Sequence, residues 1–451
     1  MTTTVESARA ELAGIVGESR VVSDQAACAA LAVDGKAPQM VVYPTSPEQT
    51  AEALKCARAH QLAVIPCRNG TKLGLGNPPH RYDVALSLKE MNRVWHYEPA
   101  DLTVSAEAGM KLGDFQHFLG RNGLWLPLDP SGGPWTSLGG ILATNACGPL
   151  RLQYGAPRDM VLGMKVATTA GKVIKTGGRV VKNVAGYDLG KLLVGSYGTL
   201  GVIVEASFKL FPLPAKRATF VFPTGTLGIA RDLRRRILNS PLQPARLVLL
   251  DGAAATLVRA GSALAAEIKE PELWVEAHGS GRVIERYARD LEALGRGPGA
   301  PVRQLDDESS ELLWSRISDP GGCLSEANPH LVLLKGSLPL AASEEFLSRT
   351  RQEVDSSRVR LASFSQVGVG TVHLCLLDEM PLAELAGLVQ RLRDAVEGLG
   401  GVLVIERCPS ELKARIDVWG PAGEGFEVMR KLKAVWDPQG TLAPGRFVGG
   451  L

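Results

Sequence analysis

Three glycine-rich segments stand out in the first half of the chain. The first, Arg68-Asn69-Gly70-Thr71-Lys72, follows a predicted strand at Leu62–Ile65. Small residues allow consecutive backbone N–H groups to point inward, which forms a nest that suits a pyrophosphate, and Asn69 and Thr71 can add side-chain donors. Taken alone, this segment is better explained as an ordinary turn at the exit of a strand.

The second segment, residues 129–140, reads DPSGGPWTSLGG and leads into ILATNACG. Gly139-Gly140 would let a bulky planar ligand approach the backbone closely, because glycine has no side chain. Ser137 can cap the following helix or bond a phosphate group. A tight packing turn is the alternative, but it accounts poorly for two such loops in one domain.

The third segment is KNVAGYDL at residues 182–189, followed by LLVGSYGTLG at residues 192–201. Gly195, Gly198 and Gly201 recur at every third position before a β-branched strand. In a helix each glycine would cost about 1 kcal/mol, so a backbone pressed against a ligand is the better explanation. Neither a GxxxxGK[ST] loop nor a GxGxxG loop occurs in the chain.

Alternating strands and helices would position these segments. Ser46 is a good N-cap and Pro47 suits a first turn, so we predict a helix from Pro47 to His60 between strands Val41–Tyr43 and Leu62–Ile65, which implies a parallel pair. Prolines 212 and 214 mark a domain boundary. The predicted domains are a cofactor-binding domain at 1–215, an α+β cap, substrate or interface domain at 216–400, and a segment at 401–451 that returns to the first domain.

Composition excludes several classes of protein. Fifty Lys and Arg residues against 47 Asp and Glu give a net charge of +3, which does not suggest a nucleic-acid partner. No apolar run of about 18 residues occurs, so no transmembrane helix is expected, and residues 1–20 lack the pattern of a targeting peptide. Seven scattered cysteines without CxxC indicate reduced thiols in a cytoplasmic protein with no metal or iron–sulfur site of its own.

The SLGG…NACG and GYDL…GTLG motifs together resemble the FAD-binding domain of the PCMH type, also called the vanillyl-alcohol oxidase type. The resemblance runs from Tyr43 to Pro212, and Leu412–Gly420 and Phe426–Gly450 are similar to the FAD-binding subunit of bacterial glycolate oxidase in particular. The resemblance implies an α+β fold in which two α+β FAD subdomains, before and after about Asp83–Ala100, are joined by an α+β cap domain.

The resemblance also implies which residues bind FAD. One group would hold the pyrophosphate, a second would line the diphosphate and the isoalloxazine ring, and a third would follow the adenine–ribose half. These groups are Arg68, Asn69, Gly70, Thr71, Lys72 and Leu73; Ser131, Ser137, Gly139, Gly140, Thr144 and Gly148; and Asp159, Gly198, Gly201 and Ile203.

Departures from the family pattern are informative. Related FAD-dependent 2-hydroxy acid dehydrogenases carry H-x-G-D-G-N-L-H, whose histidines bind a metal; residues 366–373 match best, with Gln366 and Val369 in place of the first His and the Asp. His373 matches the last His of the pattern and lies either in the site or in the core or an interface. A later Glu-His-Gly element of these relatives has no clear match, and Glu406 is the nearest residue by position. No metal is therefore expected. Tyr197 stands where relatives often have Glu.

By resemblance, the chain is an FAD-dependent oxidoreductase subunit of a glycolate- or D-lactate-oxidising complex, with a small 2-hydroxy acid as substrate. A homologous FAD subunit and an iron–sulfur subunit would be its partners, which could hold it at the inner membrane. The lost metal pattern suggests that oxidation takes place on the homologous subunit, so the chain alone should oxidise these acids slowly or not at all. The alternatives are a stand-alone FAD-dependent dehydrogenase and a non-catalytic FAD-carrying subunit.

The sequence predicts noncovalent FAD, because Thr71 stands where family members with covalent flavin have His. Acid precipitation of the purified protein should release yellow FAD into the supernatant. Flavin fluorescence that stays on the denatured chain would contradict the prediction and would direct attention to Cys67 and Cys147.

Overall fold

The first domain begins with a small sheet that is mainly parallel. In this computed structural model, residues 2–179, 187–305, 307–325 and 328–451 are described, so residues 182–186 of the third glycine-rich segment lie outside the description. The sheet has the order β1-β2-β4-β3, and its parallel pairs are β2–β4 and β3–β4. The strands are Val21–Val22 (β1), Met40–Val42 (β2), Val64–Cys67 (β3) and Val84–Ser87 (β4).

A second, antiparallel sheet follows after Ser87, with the order β5-β6-β10-β8-β9, and β7 pairs with β11 beside it. One continuous core joins the two sheets, so they form two subdomains of one unit. The strands are Val94–Glu98 (β5), Thr103–Glu107 (β6), Leu124–Trp125 (β7), Val161–Ala167 (β8), Val173–Gly177 (β9), Val202–Lys209 (β10) and Phe211–Pro212 (β11).

Helices cover both sheets. The helix that begins at Pro47 is capped by Ser46, as the sequence predicts. The Ser46 hydroxyl accepts a hydrogen bond from the N–H of Gln49, with Pro47 in the first turn. The helices are Thr2–Val16 (α1), Gln25–Ala29 (α2), Pro47–Ala59 (α3), Leu112–Gly120 (α4), Leu138–Thr144 (α5), Arg151–Tyr154 (α6), Pro157–Met160 (α7) and Gly190–Leu193 (α8). Short 3-10 turns are Glu18–Arg20, Leu88–Glu90, Gly133–Trp135, Leu340–Ala342 and Val448–Gly450.

The cap is one antiparallel sheet of eight strands with helices on both faces, which confirms the predicted α+β cap. The strand order is β15-β12-β14-β13-β17-β18-β16-β19. The strands are Lys216–Pro223 (β12), Arg246–Leu250 (β13), Glu272–Gly279 (β14), Arg303–Leu305 (β15), Val332–Ser337 (β16), Leu361–Gln366 (β17), Thr371–Leu376 (β18) and Val402–Arg407 (β19). The helices are Leu227–Leu238 (α9), Gly252–Arg259 (α10), Gly281–Arg296 (α11), Asp307–Ser318 (α12), Pro320–Ser325 (α13), Ser343–Ser357 (α14) and Leu382–Glu397 (α15).

Alternation along the strands sorts side chains between the two faces of this sheet. Val372 and Leu374 of β18 pack into the larger core, whereas Cys375 packs into the smaller core on the opposite face. His373 therefore shares the face of Cys375. No helix among the described residues is long and apolar enough to span a membrane.

The C-terminal segment serves both domains. Its first part, β19, is the edge strand of the cap sheet, and Leu412 of helix Ser410–Lys413 (α16) packs into the cap core. After helix Phe426–Trp436 (α17) the chain crosses to the first domain, where Leu442 bridges Val64 in a parallel manner beside β3. The predicted segment 401–451 is thus divided between the cap and the first domain.

Candidate active site

Most of the predicted cofactor residues line one cavity in the first domain, here called the inner cavity. Its walls come from the loop after β3, the start of α5 and the residues that precede β10, and they enclose about 840 Å³ of empty space, part of it open to solvent. The predicted residues in this lining are Arg68, Asn69, Gly70, Thr71, Lys72, Leu73, Ser137, Gly139, Gly140, Thr144, Gly198, Gly201 and Ile203.

The loop after β3 has the features of an anion-binding nest. Among the described residues, none accepts a hydrogen bond from the backbone N–H groups of residues 69–72. Gly70 has a φ of +76°, a left-handed conformation that turns the chain there. Because unpaired N–H groups at a cavity wall are costly, they mark a place where phosphate oxygens would bind.

The glycines of the second segment have different roles. A Cβ added at Gly139 would lie 2.9 Å from the Cβ of Ala108, so Gly139 is required by packing. A Cβ at Gly140 would meet only the Ser137 hydroxyl at 3.2 Å and a Thr136 methyl at 3.9 Å. Gly140 therefore leaves space on the cavity side of α5.

In the third segment, too, one glycine lies beside the cavity and another is required by packing. Gly198 has a φ of +72° and approaches Pro66 across the cavity, whereas a Cβ at Gly201 would lie 2.6 Å from a methyl group of Val166. The three-residue spacing of glycines thus reflects turn geometry and strand packing as well as closeness to a ligand.

Three predicted residues lie outside the inner cavity. The Ser131 hydroxyl donates to the Asp319 carboxylate of the cap at 2.6 Å, so it joins the two domains. The Gly148 N–H donates to Asp129 at 3.1 Å. Asp159 accepts from the N–H of Ala156 and closes the first turn of α7. Their assignment to FAD remains a prediction without support from these contacts.

Two cysteines near the inner cavity are poor nucleophiles. Cys67 lines the cavity itself, and burial raises the pKa of its thiol to about 12. Cys147 lines the neighbouring cavity, and burial raises its pKa as well. Both thiols are therefore protonated at neutral pH, which favours noncovalent flavin.

A second space, here called the cap cavity, lies between the first domain and the cap and holds about 1470 Å³, part of it open to solvent. Lys335 of β16 and His373 of β18 are direct cross-strand partners, and Glu406 lies on the neighbouring strand β19. The Lys335 Nζ lies 3.3 Å from Glu406 Oε1, and His373 Nε2 lies 3.7 Å from Glu406 Oε2. The register of the sheet thus brings together three side chains, of which Lys335 and Glu406 are 71 residues apart in the sequence.

The environment sets the charges of this triad. Burial lowers the pKa of His373 to about 4, against the opposing effect of Glu406, so its imidazole is neutral at pH 7. Burial would raise the pKa of Glu406, but the Lys335 ammonium and His373 lower it overall. Glu406 in turn raises the pKa of Lys335, so the ion pair is charged on both sides.

The cap cavity also shows what sequence patterns missed. The sequence left His373 either in the site or as a core or interface histidine, and in the structure it lines the cap cavity. Glu406 was only the nearest candidate by position, and it is the neighbour of His373. Lys335 carried no motif, because its role depends on cross-strand pairing that only the register of β16 reveals.

Arg446 lines the inner cavity, but its guanidinium group is held by protein carbonyls. It donates to the carbonyl oxygens of Leu73, at 2.6 Å, and of Leu75. Arg446 thus fixes the loop after β3 to the C-terminal segment.

Two sequence-family models match the chain. One is described as "FAD binding domain" and matches residues 38–177, and the other is described as "FAD linked oxidases, C-terminal domain" and matches residues 213–447. The second match alone covers more than half of the 451 residues.

Individual proteins are similar over most of the chain. Glycolate oxidase subunit GlcD of Bacillus subtilis is 28% identical over 418 residues, which cover 91% of this chain and 89% of that protein. The mitochondrial D-lactate dehydrogenase [cytochrome] of Arabidopsis thaliana is 27% identical over 91% of this chain and 73% of that protein. The solved structure of 4-ethylphenol oxidase from Gulosibacter chungangensis shares the fold, with a TM-score of 0.77, 17% identity and coverage of 99% and 97%.

Gly140→Val should weaken FAD binding by at least tenfold while the fold is kept, because the branched side chain would extend into the inner cavity. FAD content and the melting temperature of the apoprotein measure the two effects separately. Gly120→Val is the matched control, since a Cβ at Gly120 in α4 meets nothing within 4 Å. Normal FAD content in Gly140→Val would show that the inner cavity is not the flavin site.

The purified protein should contain far less than one zinc, manganese or iron per chain. In the described part of the chain, the one group of three metal-ligand side chains within mutual reach is Glu11, Cys56 and His60, which line neither cavity. In the cap cavity, the Lys335 ammonium beside Glu406 would repel a divalent cation. Elemental analysis tests this prediction, and one metal per chain that a chelator removes together with activity would refute it.

Proposed function

Because this chain belongs to the family of FAD-linked oxidases, we propose that it binds FAD noncovalently in the inner cavity and oxidises a small 2-hydroxy acid to a 2-oxo acid in the cap cavity. Glycolate and D-lactate, which appear in the names of the relatives, are both small 2-hydroxy acids. The neutral His373, placed in a cavity that shares a wall with the inner cavity, is the observation that carries the proposal.

The residues of the inner cavity fit FAD. The N–H groups of residues 69–72, from which no residue in the described part of the chain accepts a hydrogen bond, suit its pyrophosphate. The space left by Gly140 suits a planar ring system. When bound there, FAD would supply the acceptor for the hydride that leaves the carbon bearing the hydroxyl group. The mostly apolar walls, with Ile65, Leu88 and Ile203 among them, would exclude water from that transfer.

The chain's own residues would handle the proton. His373 would accept it from the substrate hydroxyl, because its imidazole is neutral at pH 7 and can take up a proton at a ring nitrogen. Glu406 lies beside the ring and would stabilise the imidazolium that forms. Lys335 keeps Glu406 ionised, so it would maintain this arrangement through the ion pair.

This proposal changes the interpretation of the incomplete metal pattern. Gln366 and Val369 favoured chemistry on a partner subunit when only the sequence was considered. A cavity with a base, a carboxylate and an ammonium group supports chemistry in this chain instead. A non-catalytic FAD-carrying subunit stays the second candidate, since Lys335 and Glu406 neutralise each other in the cavity where a substrate would bind.

We further propose that the chain works as one subunit of a cytoplasmic complex with a homologous FAD subunit and an iron–sulfur subunit, which could hold it at the inner membrane. The similar protein from Bacillus subtilis is by its name a subunit of an oxidase. All seven cysteines are free thiols, so onward transfer through an iron–sulfur cluster would require another chain.

Anaerobic mixing of the purified chain with glycolate or D-lactate tests where the reaction takes place. Bleaching of the flavin absorbance by the chain alone is the expected result. If bleaching requires the added partner subunits, the second candidate function is correct.

The rate of flavin reduction should depend on pH through His373. Because the folded pKa is lowered to about 4, the base stays neutral down to that value, so the rate should be flat from pH 8 to about 5 and fall tenfold per unit below about 4. Rapid mixing after a pH jump measures this profile before FAD is lost. An inflection near the ordinary histidine pKa of about 6.5 would contradict the assignment.

His373→Gln should lower the reduction rate by about 10²-fold or more, the usual contribution of a general base. His330→Gln is the matched control, because His330 is an exposed histidine of the cap that lines neither cavity. Equal rates in both variants would remove His373 from the reaction.

A further inference from the structure

The inner cavity and the cap cavity share four lining residues, Thr71, Lys72, Thr144 and Tyr197. A substrate in the cap cavity that reacts with a cofactor in the inner cavity must lie against this shared wall. The chemistry of these four side chains therefore decides which end of the substrate is held there.

Lys72 brings a side-chain amine to the shared wall; burial lowers the pKa of this group, whereas the charges of Glu406 and Asp319 act to raise it. Its Nζ donates to the carbonyl oxygen of Ser131 at 2.6 Å, and within the described part of the chain no carboxylate forms an ion pair with it. The other two lysines of the cap cavity are paired: Lys335 with Glu406 at 3.3 Å, and Lys413 with Asp34 at 2.9 Å. An anionic ligand that binds beside this amine would stabilise its protonated form, so the position favours an anion.

Tyr197 brings a fixed hydroxyl group to the same wall. Its φ of +54° is uncommon for a residue with a large side chain and costs free energy, which is typical of functional sites. The ring stacks on Phe447 with centroids 5.2 Å apart and meets Trp419 edge-on at 4.8 Å, so it is held rigidly. None of the described residues hydrogen-bonds its hydroxyl group, which burial keeps protonated by raising its pKa to about 12.

We infer that the Lys72 ammonium and the Tyr197 hydroxyl form the subsite for the substrate carboxylate at the wall between the two cavities. Both groups can donate hydrogen bonds, and in the part of the chain that the structure describes neither has a side-chain acceptor. A carboxylate is an acceptor with two oxygens. Asp319 and Glu406 also line the cap cavity and would repel a carboxylate that lay against them, so the two hydrogen-bond donors are its favourable contacts. This inference rests on the proposed function and names the residues that bind the acid group.

Oxalate, an unreactive dicarboxylate, is the direct ligand for the test, because binding beside a flavin changes the flavin absorbance without turnover. FAD-loaded wild type, Lys72→Met and Tyr197→Phe would be titrated with oxalate. Lys72→Met should weaken oxalate binding about 10- to 100-fold and Tyr197→Phe about 10-fold, as expected for hydrogen bonds to a charged group. Lys72→Arg, which keeps the charge, should restore part of the affinity.

Matched controls are Lys111→Met and Tyr187→Phe, which change the same residue types outside both cavities. FAD affinity of each variant would be measured first. Loss of FAD from Lys72→Met would overturn the inference by assigning Lys72 to the cofactor phosphates.

Steady-state kinetics with the acid that reduces the flavin give a further measurement. Lys72→Met and Tyr197→Phe should raise KM more than they lower kcat.

The outcomes separate the inference from the proposed function. If wild type binds oxalate and is reduced by a 2-hydroxy acid, but Lys72→Met and Tyr197→Phe bind oxalate as tightly as wild type, the subsite is wrong and the function stands. If oxalate, glycolate and D-lactate all fail to bind to the FAD-loaded wild type, both are overturned.

Discussion

The buried carboxylate of Asp129 holds the cap against the first domain, and the cap cavity exists only because the two are docked. It accepts hydrogen bonds from Arg246 Nε and from the Ser318 hydroxyl of the cap, each at 3.1 Å. It also accepts from the N–H groups of Gly148 and Leu150 in its own domain. Removing one partner from such a buried ionic contact typically costs about 3–5 kcal/mol, because the other charge is left uncompensated.

The contact continues into a network that fixes the angle of the cap sheet. Arg246 also binds Glu276 at 2.8 Å, and Glu276 lies 3.2 Å from His278, whose other ring nitrogen contacts the Tyr154 hydroxyl at 2.9 Å. Two strands of the cap are thereby tied to α6 of the first domain. Because β16 and β18 belong to the same sheet, this network also determines where Lys335 and His373 stand relative to the inner cavity.

A second anchor fixes the other end of the site. The Lys433 ammonium donates to Asp437 at 2.7 Å and to the carbonyl oxygens of Thr199 and Leu442, so the last helix is attached to the turn that carries Tyr197. Phe447 and Trp419 then enclose the Tyr197 ring. The C-terminal segment therefore stabilises the wall between the cavities, and it also contributes Glu406 and Lys413 to the cap cavity and Arg446 to the inner cavity.

Local sequence determined the parts of this protein that depend on neighbouring residues. Ser46-Pro47 begins a helix where the capping pattern predicts it, and the glycines before β10 mark turns because only glycine readily adopts the backbone angles found at Gly195 and Gly198. The sequence also offered Ser137 as a helix cap, and its hydroxyl accepts from the N–H of Gly140. For residues 69–72 it offered both a nest and an ordinary turn, because small residues in a loop allow either conformation.

Tertiary structure alone decided the chemistry of the cap cavity. Lys335, His373 and Glu406 lie on three strands whose register depends on the whole sheet, so no spacing in the sequence relates them. The same limit applies to Ser131, which the resemblance assigns to the cofactor: its hydrogen bond to Asp319, 188 residues away, could not be read from the sequence. A side chain's partner across a domain interface is set by how two surfaces pack, and a local pattern of residues carries no information about that packing.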